Sequence, residues 1–124
     1  MDIALWIAQV LLALVLVAFG FTHATQRDPR NDLRIAWMHT VPKPMMTTIG
    51  ILELFAAVGL VVPALTTILP WLTPLAAWLF ALLMVFAIVF HARRPGEVPN
   101  IALNVILLAV ALFIAIGRTF VAPL

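Results

Sequence analysis

The sequence predicts an all-α fold, an integral membrane antiparallel four-helix bundle, on three observations. Hydrophobic side chains make up 65% of the 124 residues, charged ones 10%, and mean hydropathy is +1.20, well outside the range of soluble globular domains. Four apolar stretches are each long enough to cross a hydrocarbon core, which takes roughly 20 residues. Within each stretch the few polar and small residues fall on one stripe at helical period.

The spans are expected at about 3–23, 44–62, 74–91 and 100–117, joined by loops at 24–43 and 92–99. The first run has Asp2 as its only preceding charged side chain, so it lacks the basic n-region of a signal peptide and reads as a retained helix. Pro44 and Pro74 stand where a first helical turn tolerates proline, Pro63 follows the second run, and Pro95, Gly96 and Pro99 separate the last two. Thr73 is the expected N-cap of the third helix. In the longest loop, the segment from Asp32 to His39 mixes apolar and charged residues, as a short amphipathic helix on the membrane surface would; an irregular loop with one aromatic anchor is the alternative.

Arg27, Arg30, Arg34 and Lys43 lie between spans one and two, Arg93 and Arg94 between three and four, and Arg118 stands alone beyond the fourth. The positive-inside rule then places both loops in the cytoplasm and both termini outside, with Trp6 and Trp71 near the outer boundary. Because the basic residues sit in loops and at one helix end, nucleic acid is not an expected partner; the lipid bilayer is. The absence of cysteine excludes disulfides, thiolate nucleophiles and cysteine-ligated iron–sulfur or zinc sites, so redox chemistry would need a bound cofactor. Dinucleotide, Walker, HExxH and Ser-His-Asp signatures are missing too.

The inward stripes are Gln9, Ala13, Leu16, Gly20, His23; then Met46, Gly50, Glu53, Ala57, Leu60; then Ala77, Ala81, Met84, Ile88, His91; and Asn100, Asn104, Leu107, Ala111. Glu53 is the centre of this pattern. An acid at mid-membrane costs about 3 kcal/mol on an insertion scale, faces the protein interior, and commonly carries function. By a rise of 1.5 Å per residue it sits roughly 12 Å from the loop end of its helix, and Asn104 roughly 6 Å along the fourth. The expected object is a pocket open to the cytoplasm or inner leaflet with Glu53 at its floor.

A neutral acid there can donate a hydrogen bond to a carbonyl ligand or exchange a proton with it. The structural alternative is a clasp from Glu53 to Asn104 or Gln9. His91, followed by Arg93-Arg94, is either a proton carrier at the pocket mouth or an interfacial end-cap. His23 and His39 read most simply as interfacial, Asn104 and Gln9 as packing hydrogen bonds, and Met45, Met46 and Met84 as gap fillers. The candidate catalytic residues are Glu53 and His91, with Gln9, His23, Gly50, Met84 and Asn104 as the ligand-binding set and no metal site. A haem held between His23 and His91 is conceivable from bis-histidine chemistry, but nothing else in the chain argues for a porphyrin.

Three groups of residues resemble one family: the opening Leu5-Trp6-Ile7-Ala8-Gln9-Val10, the Gly50-Ile51-Leu52-Glu53-Leu54 motif continuing to Gly59-Leu60-Val61-Val62-Pro63-Ala64, and Leu69-Pro70-Trp71-Leu72-Thr73-Pro74. With the His91-Ala92-Arg93-Arg94 turn and the Asn104 helix, they are similar to the DoxX-like family of small bacterial membrane proteins. The resemblance implies four helices in the bacterial inner membrane. Relatives include the membrane subunit of a thiosulfate:quinone oxidoreductase, components of membrane oxidoreductase complexes, and eukaryotic receptor-assembly chaperones; most members have no assigned activity. Where the family pattern has a lysine after the glycine closing helix one, this chain has Gly20-Phe21-Thr22-His23, so an anion bound there would need a protonated His23.

Two functions compete. One is an oxidoreductase-associated protein whose pocket holds a quinone or prenyl-lipid-like molecule, with Glu53 and His91 handling the proton. The other is a non-catalytic bundle that assists assembly of, or docks on, a membrane protein partner. A small transporter fits less well, because the chain has no duplicated broken segments.

Overall fold

A computed structural model of the chain describes residues 1–27 and 33–124. Four helices run α1 (Asp2–Thr25), α2 (Lys43–Thr66), α3 (Leu72–Ala92) and α4 (Val98–Ile116), and the last continues as one π turn over Gly117–Val121. All four are long and apolar enough to span a membrane. They form an antiparallel membrane bundle in which α1 packs along α2 and α3 along α4, with no strand among the described residues. Lipid-facing positions are large and apolar, such as Ile7, Leu14, Phe55, Val58, Leu79 and Phe86. The polar residues Gln9, His23, Glu53, His91 and Asn104 are buried. That distribution follows from the solvent: hydrocarbon offers no hydrogen bonds, so each polar group needs a partner inside the bundle.

Every stripe residue of α1 and α2 named above is buried; on α3 Ile88, and on α4 Asn100, are half-buried at the edge of the core. The α1–α2 contact is set by glycines. A methyl group built on Gly50 would lie 2.2 Å from the Ala24 nitrogen and 2.6 Å from the Gly20 carbonyl oxygen. The two backbones therefore touch at Gly20 and Gly50, as small residues permit in membrane helix pairs. One turn further along each helix come His23 and Glu53. The close crossing thus brings those two side chains within reach of each other.

Three local expectations are corrected. Helix α2 passes through Pro63 and ends at Thr66 rather than at 62. A proline inside a helix deprives the carbonyl four residues back, here Gly59, of its N–H donor. The Thr73 hydroxyl supplies the missing bond, donating to the Gly59 oxygen at 2.8 Å. Thr73 is accordingly inside α3 and bridges to α2; the N-cap position is Trp71. The third concerns the aromatic anchor of the long loop, where the expected short helix is present as a 3₁₀ helix over Leu33–Thr40 with Met38 buried. Its Trp37 turns inward to the histidines instead of anchoring in lipid. Arg30 and Asp32, and the side chain of Arg34, lie outside the described residues.

Gln26 leaves α1 in the left-handed region at φ 53°. Its side-chain amide donates back to the carbonyls of His23 at 2.6 Å and Ala24 at 3.1 Å, satisfying the open end of the helix.

Candidate functional site

At the end of the bundle opposite the termini, a cavity of about 490 Å³ lies among the four helices and the 3₁₀ segment. Its wall is mainly apolar, with Phe19, Ile49, Leu83, Phe86 and Phe90 prominent, and its polar members include His23, Glu53, His91, Asn100 and Asn104. Glu53 Oε1 and His23 Nδ1 lie 2.5 Å apart, both buried, and share a hydrogen bond across the α1–α2 crossing. Expected clasps from Glu53 to Asn104 or Gln9 are absent among the described residues. Asn104 is buried on the cavity wall, and its side chain makes no hydrogen bond to another described residue.

A second acid–imidazole pair stands at the mouth. His91 Nδ1 lies 2.5 Å from Glu97 Oε2; Arg94 Nε donates to Oε1 of the same carboxylate at 3.0 Å, and the Asn100 amide to Oε2 at 3.0 Å. Partial burial pushes the Glu97 carboxyl up, but the hydrogen bonds from Arg94, Asn100 and His91 prevail and hold it below its ordinary value of 4.5. Arg94 Nη1 also donates to the Thr40 hydroxyl at 3.2 Å, fastening the 3₁₀ segment to this corner.

Trp37 joins the two pairs. Its ring centre is 5.4 Å from that of His23 and 4.8 Å from that of His91, edge-on to both, and 5.7 Å from Phe90. The cavity therefore has an imidazole–carboxylate pair on either side of one indole.

Of the residues singled out by sequence, Glu53, His91, His23, Met84 and Asn104 line this cavity. Gly50 does not; it forms the helix crossing behind it. Gln9 is at the other end of the bundle, where its amide donates to the Leu60 carbonyl at 2.7 Å and its oxygen accepts from Arg118 Nε at 2.7 Å. Arg118 is itself buried, bonded through Nη1 to Asp2 at 2.5 Å and to the Ala122 carbonyl at 3.0 Å, with its guanidinium 5.7 Å from the Trp6 ring.

Sequence reasoning missed Glu97, Trp37 and Arg118. Two signals were present: Glu97 sits three residues after Arg94 and just ahead of a proline-started helix, where an acid suits the dipole. Arg118 continues the three-and-four stepping of Asn104, Leu107, Ala111 and Ile114. Nothing comparable marked Trp37.

The family model described as DoxX-like matches residues 7–114. The chain belongs to the DoxX-like family. That stretch contains both acid–imidazole pairs and Trp37. No curated protein and no solved structure matches the chain. The architecture of this DoxX-like protein is thus a multi-pass membrane bundle with Glu53 turned inward.

Proposed function

We propose that this DoxX-like protein binds a quinone, or a similar carbonyl-bearing compound with a prenyl tail, in the cavity beside Glu53. The observation that carries the reading is a buried carboxyl–imidazole pair on the wall of an otherwise apolar space inside a membrane bundle. A quinone carbonyl accepts hydrogen bonds, and on reduction its oxygen takes up a proton for each electron. Glu53 with His23 is built to exchange that proton, Asn104 to donate to a carbonyl, and His91 with Glu97 to pass protons between the mouth and water. Trp37 and Phe90 offer aromatic surfaces for a quinone ring. The chain has no cysteine to ligate an iron–sulfur centre, so in this reading a partner oxidoreductase supplies the electrons.

In the same reading the protein resides in a bacterial inner membrane with the cavity end toward the cytoplasm and both termini outside. The arginines of the two loops support that orientation.

The test is extraction in mild detergent, mass spectrometry of copurifying lipids, and titration with a tail-less benzoquinone followed by the tryptophan fluorescence that is lost in a Trp37→Phe variant. Saturable quenching and a copurifying quinone or prenyl lipid are expected. Glu53→Gln, which keeps the size but not the exchangeable proton, should weaken binding by about tenfold, the equivalent of one charge-assisted hydrogen bond. Absence of any such lipid together with non-saturable quenching overturns the reading.

A further inference from the structure

A second apolar hollow, of about 600 Å³, runs along the seam between α2 and α3 toward the termini end, and Leu83 and Phe86 belong to the walls of both hollows. The lining of the second includes Leu52, Phe55, Val58, Leu75 and Leu79, with Gly59 and Ala76 in it as its small residues. The two helices approach closely where those two meet: a methyl group on Gly59 would lie 3.0 Å from the Ala76 Cβ. On the cavity side, Met45 on α2 and Phe86 on α3 line the space and are both exposed, so the cavity opens sideways into the seam as well as toward the loops.

From the groove, we infer that the ligand of the first cavity is a long-chain amphiphile whose tail leaves between Ile49 and Phe86 and lies in the α2–α3 seam. This rests on the proposed head-group site, and it adds where the rest of the molecule goes. Phe86 and Leu75 are eleven residues apart on one helix, so the groove extends roughly 16 Å along the bundle axis. That is the direction in which a tail runs in a bilayer. The occupant is one chain continuous with the bound head, because Leu83 and Phe86 wall both hollows and a chain that passes those two residues enters the seam.

Physics also says what the seam does not do. Lipid tails are as apolar as Leu79 or Val58, so moving a tail from bilayer to groove gains nothing from water release. What it gains is dispersion contact and a defined path, small per atom and summed over the chain. The consequence is positional: the tail is held on one face of the bundle while its head reaches Glu53.

A quinone with a diazirine at the end of a two-isoprene tail tests this directly. After illumination in nanodiscs, adducts are expected on the groove residues of α2 and α3, removed by excess of the unlabelled two-isoprene quinone. Val58→Phe with Leu79→Phe, both lipid-facing substitutions that fill the groove, should lose most of that labelling while the tail-less quinone still binds, which also shows the variant is folded. Adducts scattered over the lipid-facing residues of α1 and α4, with tail-less binding intact, overturn the groove and leave the head-group site standing. Groove labelling that saturates although the tail-less quinone does not bind supports the groove and overturns the quinone head.

Discussion

Both ends of the bundle bury ionisable side chains, and they deal with them in opposite ways. At the termini end, Arg118 is wrapped by Gln9, Asp2 and the Ala122 carbonyl, and Gly117 lets Leu5 fill the remaining space, since a methyl group there would lie 2.4 Å from a Leu5 methyl carbon. At the other end, Glu53 and His23 have only each other as side-chain hydrogen-bond partners among the described residues, with a 490 Å³ space beside them. Polar burial alone therefore does not mark a binding site in a membrane protein. A buried polar group with room next to it is the better candidate for one, and only the Glu53 end offers that room among the described residues.

The sharpest way to break the comparison is at Gly50. Gly50→Val drives a side chain into the backbone of α1 and should destabilise the bundle by about 3 kcal/mol, read by unfolding in mixed micelles, and separate His23 from Glu53. If stability were unchanged, the glycine crossing would not be what assembles the pair.

Next comes Arg118→Met at the filled end. It gives up the hydrogen bonds to Gln9, Asp2 and Ala122 but also removes a buried Nη2 that has no hydrogen-bond partner among the described residues. The lost charge-assisted bonds outweigh the one recovered orphan, so the expected cost is about 2 kcal/mol. Tail-less quinone titration should be unaltered; a change there would mean that the two ends are coupled.

Thr73→Val leaves the Gly59 carbonyl without a donor and should cost about 1 kcal/mol, typical of one interhelical hydrogen bond in lipid. The smallest effect belongs to pH. Glu97 titrates below its ordinary 4.5, so its contribution to stability is present in full above that pH and is lost as pH falls through the depressed value. Melting temperature should decline in that acidic window, and Glu97→Gln should reduce the decline.

Much of this architecture was legible in the chain because lipid makes the code simple. Each helix had few polar residues, and a period near 3.6 put Glu53, His23, His91 and Asn104 on inward faces. Pairing was harder to read. Glu53 found His23 rather than Asn104 because the Gly20–Gly50 crossing, a contact between helices, sets which stripes meet. Gln9 carried the same stripe signal as Glu53 yet belongs to the opposite end, since depth along the helix decides which neighbours it has. Trp37 lay in a loop, where no periodicity exists to tell an inward ring from a lipid anchor. Pro63 looked like a stop signal because the rescue of its orphaned carbonyl comes from Thr73, fourteen residues after Gly59.

That rescue has a mechanical corollary. The Thr73 hydroxyl rivets α2 to α3 near the termini, and no side-chain hydrogen bond joins those two helices at their far ends among the described residues. Two rods pinned at one end spread most at the other, as the arms of tongs do. A pair pinned in that way parts most easily toward its loop end, past Ile49 and Phe86, which is the side on which the proposed ligand would meet the bilayer.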